Sequence, residues 1–566
     1  MSNDSERPAS LLARCSAFIA RTRVGRSIRH QDQGPLPGPD GDAEPVPGLG
    51  PYLLICAGAA AWIDMGSLHR LHHSDSMIPV LVSLQAWTPF YWGQDRLGML
   101  VPLLVWPVRS PFGNLLAQGF VNVFCVLAAF VLLARYVRRD ASYPVLGAVG
   151  AAAFLVLAPP FYRFDLMMNH NFGIWLALGL AGLIAAESRA GRVTGPRLLV
   201  ALGLILLAHW VYLAAGYYLV VLVGFRALGV LAAPGSVGRT DAPGRYGRAG
   251  TLPQAPAIAV VGVETVCAWG LLGLGLWVGR QLSTLYPIQL TNFDGLPWSS
   301  WPETWRMLGL TTWKYLAPQA WPGFLIAAAV AGLSAQAIPA VRRRSAPVLR
   351  DAAVLGATAL ATGLLVGTRR WAQNYDYLPR YLMGSVFFLQ AAMLIPLLGA
   401  LTAVRPGWFG GRRRVWAVAG LLLAASAVSY GLPSPRGVRR DLDRRMGGLT
   451  PDVLAANCTH IAGQYWTIWP SVFHANMVLH ERGERRTVWG MAFRCDPTYR
   501  RYRSMCCDRL RVASPLDDPD LGLLQMTNML PMFRRCRADV RYRSCRVLER
   551  RRTILVAVPV AEPHPE

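Results

Sequence analysis

The stretch "NLLAQGFVNVFCVLAAFVLLARYVRRD", residues 114–140, carries no charge until Arg135 and then closes on three arginines, Arg135, Arg138 and Arg139. An apolar run of ~20 residues at 1.5 Å per residue matches the ~30 Å hydrocarbon core of a bilayer. An arginine cluster at one end is the mark of a cytosolic loop. Read this way, the stretch is a transmembrane helix that brings the chain back to the cytosol. The 566-residue composition agrees: 53% of residues are hydrophobic, 16% are charged and the mean hydropathy is +0.30. Soluble domains carry roughly a quarter charged residues. The formal charge of +25 does not indicate nucleic-acid binding. The basic residues are arginines except for Lys314, and they cluster in short runs between apolar segments, as a positive-inside topology requires.

Working outward from 114–140, the same reading gives eleven spans. Span 1 (50–66) follows a polar, Pro/Gly-rich basic tail and exits outward as an uncleaved anchor. Spans 2 (114–134), 3 (143–159) and 4 (172–187) alternate, the last closed by "ESRAGRVTGPR". The stretch 197–230 has arginines at both ends and is too long for one crossing, so it is expected to make two, turning at "HWVYLAAGYY". Spans at 257–278, 320–340, 350–367, 381–403 and 415–431 complete the set. The expected fold is an all-α polytopic membrane protein. It comprises a basic cytosolic tail (1–48), a transmembrane domain (49–431) and an extracytoplasmic α/β domain (432–566). The N-terminus is inside, and a basic set of arginines with a single lysine fits a GC-rich bacterial genome and hence a bacterial inner membrane.

Residues 432–566 mix strand-like runs, "RTVWGMAF" and "RTILVAVPV", with the helix-like "WPSVFHANMVLHERG". They hold six cysteines, Cys458, Cys495, Cys506, Cys507, Cys536 and Cys545. An even set in an exported domain points to disulfides of undetermined pairing. A metal site is the runner-up, but no Cys-x2-Cys pair of the zinc type is present.

The chemistry concentrates in the first outer loop, "HRLHHSDSMIPVLVSLQAW" (69–87). From Met77, the apolar Val80, Leu81, Leu84 and Trp87 recur at helical spacing, so an amphipathic helix on the membrane surface is expected. Asp75 stands at its mouth, where it or Ser76 either caps the helix or carries a reactive carboxylate. His72 and Asp75 are spaced to share a divalent ion, although adjacent histidines diverge on a helix and no third ligand is evident. The aromatic "TPFYWGQDRLGMLVPLLVWPV" follows; its Asp95 and Arg96 read as a local pair or turn.

This layout resembles the GT-C membrane glycosyltransferases, in particular the protein O-mannosyltransferase and aminoarabinose-transferase branch. The resemblance rests on "SDSMIPVLVSLQAW…GQDRLGMLVPLL" and on "NYDYLPRYL" (374–382), with Asp75–Ser76 where the branch carries an Asp-Glu pair. It implies a sugar donor carried on polyprenyl phosphate, an extracytoplasmic lipid, glycan or protein acceptor, and inversion at the sugar. Asp75 is then the base, since a phosphate leaving group needs little protonation. Asp165 in "FYRFDLMMNHNFG" is a second carboxylate for the site, unless it pairs with Arg163 or caps a turn. Arg380, with Arg369 and Arg370 nearby, would hold the donor phosphate through guanidinium forks. Tyr381, His72, His73, Asp95 and Arg96 would support. For "TRRW" (368–371) the alternative is anchoring at the membrane interface. Trp466 and Trp469 in "GQYWTIWPSVFHAN" are either core or face the acceptor. The rival function is a transporter or flippase of lipid-linked glycans, or a non-catalytic envelope-assembly protein; mid-span charge is scarce, essentially Glu264.

Overall fold

The computed structural model describes residues 46–92, 98–138, 141–168, 171–186, 195–212, 214–231, 274, 281, 295–316, 319–374, 376–404, 411–492, 505–533 and 540–563. The chain is mostly helical, with one small sheet near its C-terminus. Helices occupy the expected span positions at Gly50–Asp64, Pro111–Val137, Tyr143–Leu157, Phe172–Ala186, Gly195–Val211, Ala215–Leu231, Ala320–Ala335, Pro339–Gly367, Met383–Val404 and Gly411–Tyr430. Apart from Leu274, the expected span 257–278, Glu264 included, lies outside the described residues. By length and composition, four described helical segments can cross a membrane, or up to six if each bent pair is one span. Pro160–Met168 meets Phe172–Ala186 at 60°, and Trp298–Tyr315 meets Ala320–Ala335 at 104°.

Small residues let these helices approach closely, which is how apolar helices gain packing where no hydrophobic force draws them together. Gly332 lies so near the backbone of Pro396 and Leu397 that a Cβ there would collide with it. Pro111–Val137 is central: it packs on Gly50–Asp64, Tyr143–Leu157 and Phe172–Ala186.

The C-terminal region carries five strands, β1 (His460–Ala462), β2 (Trp489–Met491), β3 (Val512–Pro515), β4 (Val540–Arg550) and β5 (Ile554–Pro563), in the order β2-β1-β3-β5-β4. β1 is parallel to both β2 and β3, while β5 runs antiparallel to β3 and β4. The helix Tyr465–Glu481 crosses from β1 to β2, whereas β3 adds on the other side. The strand order therefore reverses at the carboxyl end of β1, the place where open sheets of this kind form a crevice. Gly463, at φ +149°, turns the chain out of β1 into that helix, a backbone region that L side chains rarely adopt.

Two expectations are corrected. The disulfide set does not include Cys458, Cys507 or Cys545, whose sulfurs are not in a disulfide. Cys458 is packed inside the domain, where burial pushes its thiol up to about 12. Cys545 on β4 lies 3.6 Å from the Thr527 hydroxyl. Cys506 is disulfide-bonded, and Cys495 and Cys536 lie outside the described residues. The helix expected on the membrane surface is Ser74–Leu84, and it is covered on both sides. It packs against Pro111–Val137 and against Tyr465–Glu481, so Met77, Ile78, Val80, Leu81 and Val82 are all buried.

Within the C-terminal region, His474 is held neutral between two hydrogen bonds. Nδ1 accepts from the Thr450 hydroxyl at 2.8 Å, and Nε2 donates to Asp443 Oδ1 at 2.8 Å. Burial, reinforced by the Arg439 guanidinium, lowers His474 to about 4. The unfolded chain therefore binds a proton between about pH 6.5 and 4 that the folded one does not. The stability this site contributes is complete above about pH 6.5 and declines as pH falls through that window. By pH 5 the loss is about 2 kcal/mol from this site alone. Hydrogen exchange of 465–481 should accelerate between pH 7 and pH 5 after correction for intrinsic rates; equal protection at both would contradict this.

Candidate functional site

Asp75 sits where the apolar helices meet the C-terminal region. The sequence left open whether it caps the helix Ser74–Leu84. His73 is the cap: its Nδ1 accepts from the Asp75 N–H at 3.2 Å, and its own N–H donates to Ser76 Oγ at 3.1 Å, closing a capping box. The Asp75 carboxylate is thereby released from capping. The Tyr465 hydroxyl donates to its Oδ1 at 2.6 Å, and the Tyr91 hydroxyl lies 3.3 Å from the same oxygen and 2.9 Å from that of Tyr465. Arg380 Nη1 stands 3.9 Å from Oδ2, an ion pair longer than a hydrogen bond.

Each partner is placed by its own element. Tyr465 opens the helix that leaves β1 at the reversal of strand order, and the Ser74 hydroxyl ties its backbone carbonyl at 2.7 Å. Gln85 donates to Val488 O at 2.8 Å, and Arg70 pairs with Asp441 at 2.7 Å, so the C-terminal region is also bound to this loop away from the Asp75 carboxylate. Arg380 lies in the turn Pro379–Leu382 at the head of Met383–Val404. Its Nη2 donates to Tyr381 Oη at 3.2 Å, while its Nε is buried and makes no hydrogen bond among the described residues. A guanidinium with an unspent donor beside a carboxylate is suited to receive an anion.

His73 lines the same site. Its ring meets the edges of Phe164 and Trp466, both at 5.5 Å between centroids. Burial lowers its pKa, the neighbouring Asp75 works against that, and Arg380 and Arg445 add to it. Trp466 is half exposed beside this ring, whereas Trp469 is fully buried against Trp92 at 5.6 Å and belongs to the core.

The other expected residues divide. Asp165, on Pro160–Met168, acts electrostatically on Arg380. Arg163 does not need Asp165 as its partner: it donates to Leu155 O and lies over the Tyr430 ring at 5.2 Å. Arg369 is turned to Tyr217, with its guanidinium 5.0 Å from that ring, and Arg370 is exposed at the start of Arg370–Asn374. Asp95 and Arg96 lie outside the described residues. His72 spends both ring nitrogens within the protein, on Ser76 Oγ at 2.9 Å and His69 Nδ1 at 2.7 Å, which leaves it no lone pair for a metal beside Asp75. Among the described residues no group of three or more His, Cys, Asp or Glu is arranged to hold one.

Tyr91, Tyr465, Asp64 and His69 were not singled out by sequence. Tyr91 and Tyr465 sit in aromatic runs that read as interface or core, and nothing local joins residue 465 to residue 75. No protein-family model matches the chain, and no curated protein matches it in sequence.

Proposed function

We propose that the protein is an integral membrane glycosyltransferase that moves a sugar from a polyprenyl-phosphate carrier to an extracytoplasmic acceptor. The observation that carries this reading is the Asp75 carboxylate, 3.9 Å from Arg380 and hydrogen-bonded by Tyr465 at the junction of the two regions. The acceptor hydroxyl attacks the anomeric carbon and passes its proton to Asp75. The bond from that carbon to the phosphate oxygen breaks, and its electron pair leaves with polyprenyl phosphate, whose charge Arg380 meets. Attack opposite the leaving phosphate inverts the anomeric centre. In this reading the N-terminus is cytosolic and 432–566 faces away from the cytosol of a bacterial inner membrane. A cysteine at exposed Arg440 is expected to react with membrane-impermeant maleimide from outside intact cells; labelling only after lysis would contradict that orientation.

The test uses purified full-length protein in liposomes with a panel of radiolabelled polyprenyl-phosphate sugars and mixed lipid, glycan and peptide acceptors. Label leaving the carrier supports transfer. The rival is a flippase; the one observation on its side is the ionisable Asp64, buried inside the protein at the end of Gly50–Asp64. Carrier lipid that changes leaflet with its sugar intact would establish that rival. Tyr465→Phe removes the 2.6 Å contact and is expected to lower turnover about 10-fold, as fits one hydrogen bond to a charged group. Tyr91→Phe, at 3.3 Å, should cost less. Equal effects would show that the two phenols act as one unit.

A further inference from the structure

Beneath the Asp75 site runs a buried chain of polar groups. Asp64 and His69 are 2% and 1% exposed, and His72 and Ser76 are each 4% exposed. His69 Nε2 lies 2.5 Å from the Asp64 backbone oxygen and 3.3 Å from Asp64 Oδ1. His69 Nδ1 is 2.7 Å from His72 Nε2, and His72 Nδ1 is 2.9 Å from Ser76 Oγ. Ser76 Oγ is in turn 2.8 Å from the His73 carbonyl and accepts the His73 N–H at 3.1 Å. Room for the Asp64 carboxylate exists because Gly119 of Pro111–Val137 faces it; a Cβ there would collide with Oδ1.

Counting protons along these contacts leaves two self-consistent arrangements. His69 Nε2 faces only oxygen acceptors at Asp64, so it carries a hydrogen in both. When His69 is neutral, its Nδ1 accepts from His72 Nε2–H, and His72 Nδ1 accepts the Ser76 hydroxyl proton. When one proton is added at His69 Nδ1, that atom donates to His72 Nε2, and His72 must carry its hydrogen on Nδ1 and donate to Ser76. The Ser76 hydroxyl then turns to the His73 carbonyl. His72 stays neutral in both arrangements and changes only its tautomer, which suits a ring whose pKa burial holds well down. The charged and titratable groups acting on the two upper rings are His69, His73 and Arg445 for His72, and Asp75, Arg380 and Arg445 for His73.

We propose that Asp64, His69, His72 and Ser76 form one proton-sharing chain, and that its proton content sets the direction of the Ser76 hydroxyl and so the seating of Asp75 on its cap. These are positioning residues. Their bearing on catalysis rests on the transfer reading above, but the chain itself does not. The added proton gives the first helical turn one more hydrogen bond, from Ser76 to the His73 carbonyl, next to the residue whose carboxylate must hold its place.

The test is nitrogen NMR of ring-labelled histidines in the full-length protein in lipid nanodiscs, with His69→Gln and His72→Gln giving the assignments. As pH falls, His69 is expected to gain a proton while His72 passes from the Nε2–H to the Nδ1–H neutral tautomer with the same midpoint. Asp64→Asn, which removes the carboxyl group beside His69 Nε2, should alter the response of both rings together and leave their midpoints equal to each other. A His72 ring that keeps one tautomer while His69 gains its proton, or separate midpoints for the two rings, would overturn the proposal. Neither readout uses sugar transfer, so its failure and the failure of the transferase reading are told apart.

Discussion

Asp75→Asn is expected to lower sugar transfer by ~10³-fold, within the ~10²–10⁴ that a positioned general base supplies. The substitution keeps the size of the side chain and an amide oxygen able to accept from Tyr465, so the contact between the two regions survives. What it removes is the proposed proton acceptor and the charge opposite Arg380. Thermal unfolding should therefore shift by a few degrees at most while turnover collapses. Loss of folding together with activity would place Asp75 among the residues that join the regions rather than those that react. Retention of turnover would remove it from the mechanism altogether.

Arg380→Gln is the second large effect. Arg380 lies beside Asp75, keeps a buried Nε without a hydrogen bond among the described residues, and falls within electrostatic reach of Asp165. Removing a donor aimed at developing charge costs ~10²–10³ in kcat. A rise in KM for the lipid donor should accompany the fall in kcat, because in the proposed transfer the same guanidinium meets the phosphate before and during departure. Arg380→Lys should recover only part of the loss, since an ammonium lacks the planar fork. If only KM changes, the arginine binds the carrier without stabilising its departure.

How much of this was legible in the sequence depends on the distance over which each feature is determined. The helices at Pro111–Val137 and Met383–Val404 were readable because length and apolarity are local quantities. The break between Gly195–Val211 and Ala215–Leu231 was readable because the apolar stretch between its terminal arginines is too long for one helix of ordinary span length. Asp75 and Arg380 stood out because each breaks the local pattern: a carboxylate at the head of an apolar run, and a cation at the end of a span where few are expected. His73 as the cap was missed because capping is usually done by Ser, Thr, Asp or Asn. The burial of Ser74–Leu84 was missed for a tertiary reason. Its second face is covered by Tyr465–Glu481, nearly 400 residues further on, so the apolar stripe looked like a membrane-facing one. The same separation hid Tyr465. The short strands β1 and β3 carry too few residues to show any period, whereas β5 did so within "RTILVAVPV".

The central claim is that Asp75 activates an acceptor against a lipid-linked sugar with Arg380 at the departing phosphate. The most direct measurement is a single-turnover reaction of the purified protein with a labelled polyprenyl-phosphate sugar, following both the anomeric configuration of the product and the release of polyprenyl phosphate. The account predicts one equivalent of polyprenyl phosphate per sugar transferred and an inverted anomeric centre, both lost in Asp75→Asn. A retained configuration, or sugar transfer that persists at the wild-type rate in Asp75→Asn, would contradict it.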